Sequence, residues 1–260
     1  MTVKDPWHNL RQFTDARIGL GRSGSAMPTQ EVLEFSLAHA MARDAVTSAL
    51  DWNDIEKSLE GLGLTMLRVR SAADERSTYL RRPDLGRQLS PASRQAVVHA
   101  GEHLSPKPDL VIVVGDGLSS KAVSANIAPF LGVLIPSIKK IGWSVGPVVL
   151  AHNARVALGD EAGELLAAKA VIVLIGERPG LSSPDSLGAY LTWAPRTGLK
   201  DADRNCISNI RVRGLSYDEA AFKLTWLLQQ AFTRQLTGVA LKDEADYGTY
   251  LASSRAKQIT

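Results

Sequence analysis

The chain has 260 residues, 45% apolar, 22% charged and 6% aromatic, proportions that suit one large globular domain or two modest ones, either able to bury a core. Its 30 basic and 27 acidic residues leave a formal net charge of +3, too mild for a nucleic-acid binder, which concentrates basic residues in a stripe. No run of about 18 uncharged apolar residues predicts a membrane span. The N-terminus MTVKDPWHNLRQF lacks an apolar stretch fit for a secretory signal, so a cytoplasmic location is expected.

Up to about residue 105 the pattern is helical with irregular connectors. Pro28-Thr29 opens a helix in which Leu33, Leu37, Ala40 and Met41 recur at helical spacing, running to about Leu50. Asn53, with Glu56 three residues on, makes a capping-box-like start for a second helix. Its apolar face carries Ile55, Leu59 and Leu62, and Gly61 and Gly63 mark its end. LTMLRVR (64–70) reads as a short strand. Seven arginines follow between 68 and 94, at 68, 70, 76, 81, 82, 87 and 94. They suit a solvated connector or a docking surface that grips carboxylates, with nucleic acid a third reading. Ser90-Pro91, a cap followed by proline at the first helical position, opens a helix to about His103.

After SPKPD (105–109) the texture changes. DLVIVVGDG (109–117) is a β-branched run ending in glycines, the mark of a strand buried on both faces. A helix to about Lys140 is expected to break or kink near Pro129 and Pro136. Strands follow at 145–152 and 170–177, with a helix near 159–168 between them. A long loop, a short strand at 190–194 and a loop through RNCISNIR (204–211) lead to a helix from Ser216 to about Leu236. Strand and helix alternate as in an α/β fold: a Rossmann-like, mostly parallel sheet domain (106–243) preceded by a largely helical N-terminal region (1–105). The polar stretch 244–260 is expected to be a disordered tail, with Tyr247, Tyr250 and Leu251 able to make one helical contact.

Open α/β sheets bind ligands beyond the carboxyl ends of their strands, which directs attention to three loops: GDGLSS (115–120), AHNARVALGD (151–160) and GERPGLSSPDSLG (176–188). The first resembles a phosphate loop but fails as a dinucleotide fingerprint. It reads G-x-G-x-x-S, and no acidic residue lies between Asp116 and Asp160 to hold a ribose. In the third, Glu177 can be an acceptor for a ligand or simply the partner of Arg178 or Arg155. Cys206, the single cysteine, excludes an intramolecular disulfide. No histidine follows His152 to activate it as a nucleophile, so a packing or ligand-contact role is expected. His99 and His103 can share a helix face, but with no third ligand near them in the reading of the sequence they suggest no metal site. No catalytic constellation is self-contained in this chain.

Seven strings, in one order, resemble the small (light) subunit of ethanolamine ammonia-lyase. They are TDARIGLGRSGSAMPT (14–29), FSLAHAMARDAV (35–46), YLRRPDLGR (79–87), DLVIVVGDGLSSKAV (109–123), ARVALGD (154–160), VIVLIGERPGLSSPDSLGAYLTW (171–193) and DADRNCISNIR (201–211). The resemblance covers roughly residues 7 to 243. It implies a complex that converts ethanolamine to acetaldehyde and ammonia by adenosylcobalamin-dependent radical chemistry. In that complex this chain would cap a large TIM-barrel subunit and grip the cofactor at the interface, within a hetero-oligomer of several large–small pairs. It further implies cobalamin contacts at Val156, Glu177 and Cys206, with Arg155 beside the first, and no catalytic or metal-ligating residue. Because the D-x-H-x-x-G motif that supplies a lower histidine ligand is absent, base-on binding is expected. Some relatives carry a longer N-terminal extension linked to bacterial microcompartments, a location this sequence leaves open. The alternatives are a stand-alone nucleotide-binding Rossmann-like enzyme and a cofactor-free interaction module.

Overall fold

A computed structural model describes residues 2–3 and 5–251. Two residue pairs, β1 (Thr2–Val3) and β2 (Arg22–Ser23), form a small antiparallel ladder ahead of helix α1 (Thr29–Thr47). Next come α2 (Trp52–Leu59), β3 (Met66–Arg70), α3 (Arg76–Arg81) and α4 (Pro91–Glu102). The α/β alternation continues with β4 (Leu110–Gly115), α5 (Ser120–Ile141), β5 (Val145–His152), α6 (Leu158–Leu165) and β6 (Ala170–Gly176). It closes with β7 (Leu187–Trp193), β8 (Asn205–Ile210) and α7 (Tyr217–Arg234).

The strands make one six-stranded sheet in the order β3-β5-β4-β6-β7-β8. The first four run parallel, while β7 and β8 add antiparallel. This is the mostly parallel α/β sheet that the sequence pattern predicts, and β3 draws chain from before residue 106 into it. Alternate side chains point to opposite faces of each strand. Leu110, Ile112 and Val114 join α2, α5 and α7 in one core; Val111 and Val113 join α4 and α6 in the other. Every residue of β4 and β6 is buried, because both faces are covered.

Three local expectations are corrected. The α2 helix is capped by Asp51, whose carboxylate accepts from the backbone N–H groups of Asn53 and Asp54 (2.9 and 3.2 Å), and not by Asn53. Starting there lets Trp52 enter the core, and frees Glu56 to pair with Arg68 at 2.5 Å. Next, α5 runs unbroken through Pro129 and Pro136. Phe130, Leu131, Leu134, Ile135 and Ile138 are all buried around those prolines, and that packing offsets the lost backbone bonds, each proline costing about 3 kcal/mol. Finally, residues 205–210 form the edge strand β8 where a loop is expected. Only Ile207 and Ile210 of that strand are buried, and a register shift in its pairing with β7 breaks the simple alternation.

By length and composition α5 is apolar enough to cross a membrane, yet half of its apolar window is buried within this molecule. Residues 247–251 are helical and place Tyr247 and Tyr250 against Phe222, with ring centroids 5.4 and 4.5 Å apart, the one helical contact expected there. Residues 252–260, most of the stretch expected to be a disordered tail, lie outside the described residues.

Candidate functional site

The chain leaves β4 for α5 on one face and β5 for α6 on the other, so the carboxyl ends of β4 and β5 diverge. This is the topological switch point of an open sheet. Gly117 there has φ +58°, and a Cβ on it would collide with the Gly176 carbonyl oxygen. Only glycine lets the loops after β4 and β6 pack so closely, joined by Leu118 N–H donating to Gly176 at 2.9 Å. The Ser119 hydroxyl accepts from Ala122 N–H at 3.1 Å, capping α5, and donates to the Pro184 carbonyl at 2.7 Å. Asn126 donates to the Asp185 carbonyl at 2.8 Å. The 177–186 loop is thereby tied to α5.

Asp116, between Gly115 and Gly117, is buried. Its carboxylate accepts from the N–H groups of Asn153 and Ala154 at 3.0 and 3.1 Å, and Arg76 lies 3.8 Å away. Burial pushes its pKa up, against the pull of those N–H groups and of the guanidinium. A buried carboxylate here suits a brace for the β5–α6 turn, and disfavours the anion that a phosphate loop would hold. The turn so braced carries Arg155 and Val156.

Arg155 lies 4.7 Å from the centre of the Tyr79 ring, and Arg76 lies 4.8 Å from it. The Tyr79 hydroxyl donates to the Ala154 carbonyl at 3.2 Å, and burial pushes the phenol up to about 12, so it stays protonated. Arg155 reaches the Tyr79 carbonyl at 3.4 Å, but its buried Nε has no partner. Across the cleft, Glu177 accepts from Ser186, from Ser208 Oγ at 2.6 Å and from Asn209 N–H at 3.2 Å.

Tyr79, Gly117, Arg155, Val156, Glu177, Arg178, Tyr190 and Ser208 line one cleft of about 430 Å3. Three of the four residues expected at a site therefore share it. Cys206 does not line it: it is exposed and faces the cleft wall through its strand partner Tyr190. Desolvation around the sulfur raises the Cys206 thiol pKa, the Tyr190 contact lowers it, and the Glu177 charge raises it again, with the net upward. The thiol is thus no activated nucleophile. A second cleft of about 630 Å3 meets the first at Arg155 and Val156, with Arg87, Glu161, Lys200 and Asp201 on its walls.

Tyr79, Arg76, Asp116, Tyr190 and Ser208 escape a reading of the sequence as site residues. Asp116 carries the only clear signal, a carboxylate directly after a buried strand; Tyr79 sits in an Arg-rich stretch with no distinguishing pattern. Several of those arginines have partners within the chain: Arg68 with Glu56, Arg94 with Glu161 and Arg82 with Asp84. At the far end of α4, a carboxylate oxygen of Glu102 and ring nitrogens of His99 and His103 lie within 4.8 Å of one another, a proximity not expected from the sequence. Apolar side chains also stand open on the N-terminal segment and α1, where Phe13 is 79%, Leu33 64% and Leu37 62% exposed.

A model of the ethanolamine ammonia-lyase light chain (EutC) family matches residues 4–242. A protein of Rhodopseudomonas palustris named ethanolamine ammonia-lyase small subunit is 56% identical over 237 residues, covering 91% of this chain and 90% of the relative. Small subunits of the same name from Pseudomonas aeruginosa and Xanthomonas campestris pv. campestris are each 53% identical. The alignments span 245 residues (94% of this chain, 90% of the relative) and 261 residues (97% and 94%) respectively.

Proposed function

The chain belongs to the ethanolamine ammonia-lyase light-chain family and is a small subunit of an ammonia-lyase complex with a large-subunit partner; from that premise we propose that it binds adenosylcobalamin, base-on, in the cleft between Arg155–Val156 and Glu177. The observation that carries the reading is the convergence of those residues at one switch-point cleft, with a buried Arg155 Nε still lacking an acceptor.

The residues suit a corrinoid. Its rim of amide side chains both donates and accepts hydrogen bonds, and its nucleotide loop carries a phosphate. Arg155 Nε offers a donor to an amide carbonyl or to that phosphate. Glu177 receives three donors in this chain and, with about four acceptor sites on a carboxylate, retains room for an amide N–H. Val156 offers compact apolar contact, and Cys206 supports the wall from behind Tyr190. A corrin with its side chains exceeds the cleft, and the second cleft across Arg155 and Val156 leaves space for an overhanging part. The ligand's remaining face then falls to the large subunit.

When bound, adenosylcobalamin supplies the radical chemistry that converts ethanolamine to acetaldehyde and ammonia. This chain's part is to bind, to orient and to exclude water. Two of its groups are withheld from proton transfer: Tyr79 holds its proton, and the buried Asp116 is committed to two backbone N–H groups. The open apolar side chains of α1 and Phe13 supply a surface for the large subunit, in a particle of several large–small pairs. A stand-alone nucleotide enzyme is disfavoured by the buried Asp116 carboxylate in the glycine loop after β4, and by the lack of an acidic residue between Asp116 and Asp160 to hold a ribose.

The test is an absorbance titration of the reconstituted complex with adenosylcobalamin. Glu177→Gln and Arg155→Met should each raise the Kd about tenfold or more, since a hydrogen bond to a charged group is worth roughly 1.5–3 kcal/mol. The turnover rate at saturating cofactor should stay close to wild type. Unchanged affinity in both variants contradicts the assignment.

A further inference from the structure

We propose that His99, Glu102 and His103, at the C-terminal end of α4, form a binding site for a divalent transition-metal ion of the zinc class. Nothing in the function above calls for this site.

The spacing i, i+3, i+4 puts the three side chains on one helix face. Their ligand atoms lie within 4.8 Å of one another, and the two imidazole rings are 4.4 Å apart between centroids. The His103 Nδ1 lies 2.8 Å from the His99 carbonyl oxygen, which can only accept. That contact fixes the proton on Nδ1 and leaves the Nε2 lone pair free, the tautomer setting that backbone carbonyls give to zinc-binding histidines. Two imidazole nitrogens and one carboxylate oxygen suit Zn2+, with a fourth position left to water, and match magnesium or calcium poorly.

The surroundings favour a cation. The last turn of α4 presents the partial negative charge of a helix C-terminus. All three side chains are exposed, so small rotamer changes can close the ligand set without unpacking a core. The ammonium of Lys107, four residues beyond His103, is held on the Gly101 carbonyl at 2.6 Å. Position separates this site from the proposed cofactor cleft. The chain runs from the end of α4 into the start of β4, whereas the cleft lies beyond the other end of that strand. A metal here would staple the last helical turn and take no part in the reaction.

The experiment uses the untagged full chain, stripped of metal with a chelator and titrated with Zn2+ in excess Mg2+, by calorimetry and by competition against a chromogenic chelator. The expected result is one Zn2+ per chain, with affinity falling at least about tenfold in His99→Gln and in His103→Gln. Glu102→Gln should weaken it less, and His39→Gln, on a distant helix, should leave it unchanged. Zn2+ should raise the thermal midpoint of wild type and not of the two histidine variants, whose metal-free midpoints should equal that of wild type. The proposal is overturned by the absence of saturable binding, or by a zinc affinity that survives both histidine substitutions.

Discussion

His152 ends β5 with its ring 4.6 Å from that of Trp52. Burial, with Arg70 and Arg68 adding, holds its imidazole down to about 4, against an ordinary 6.5. The unfolded chain therefore takes up this proton first. Its contribution to stability is complete above about pH 6.5 and is lost as pH falls through the window toward 4. Urea midpoints measured at pH 7 and pH 5 should fall more steeply for wild type than for His152→Gln; parallel slopes would count against the account. Cys206 makes the complementary case. Its raised thiol should alkylate more slowly at pH 8 than a free cysteine does, despite surface exposure, and reaction at the free rate would contradict the desolvation and the Glu177 charge that raise it. The sequence could show that no histidine was placed to activate this thiol. It could not show Tyr190 in front of it, because that contact is made by strand pairing across β7 and β8.

At the scale of elements, the joint between α6 and β8 is the most consequential. Arg204, just before β8, forms a fully buried ion pair with Asp160 in the first turn of α6, and also reaches Asp201 at 3.0 Å. It links the turn carrying Arg155 and Val156 to the strand whose Ser208 and Asn209 hold Glu177. Arg204→Met leaves the Asp160 charge buried without its partner, which should cost about 3–5 kcal/mol in urea denaturation. Arg82→Ala, which removes a solvent-exposed pair with Asp84, should change nothing measurable. Equal effects of the two would refute the ranking. The contrast between strands explains what could be read beforehand. The β4 and β6 runs, LVIVVG and AVIVLIG, are apolar throughout because helices cover both faces, so their sequences announce them. The β8 run NCISNI shields only Ile207 and Ile210, and an edge strand so sparsely apolar reads as loop.

At the scale of the whole molecule, the chain is a small subunit with a large-subunit partner. Helix α1 buries only Ala45 among its described residues, yet carries Leu33 and Leu37 in the open. Leu33→Asp combined with Leu37→Asp should leave the chain's thermal midpoint unchanged while reducing co-elution with the large subunit; normal co-elution would remove α1 from the interface. Strings such as GERPGLSSPDSLG and RNCISNIR carried the family in the sequence, because their glycines and polar residues answer to loop packing and cleft chemistry. Tyr79 and Asp116 gain their roles only where α3 and the β5–α6 turn meet, a juxtaposition no local pattern encodes. The most direct test of the central claim is ethanolamine deamination by the cognate large subunit with adenosylcobalamin, measured with and without this chain. The account predicts acetaldehyde and ammonia only when both chains are present, at a cofactor demand that Glu177→Gln raises. Equal activity of the large subunit alone would contradict it.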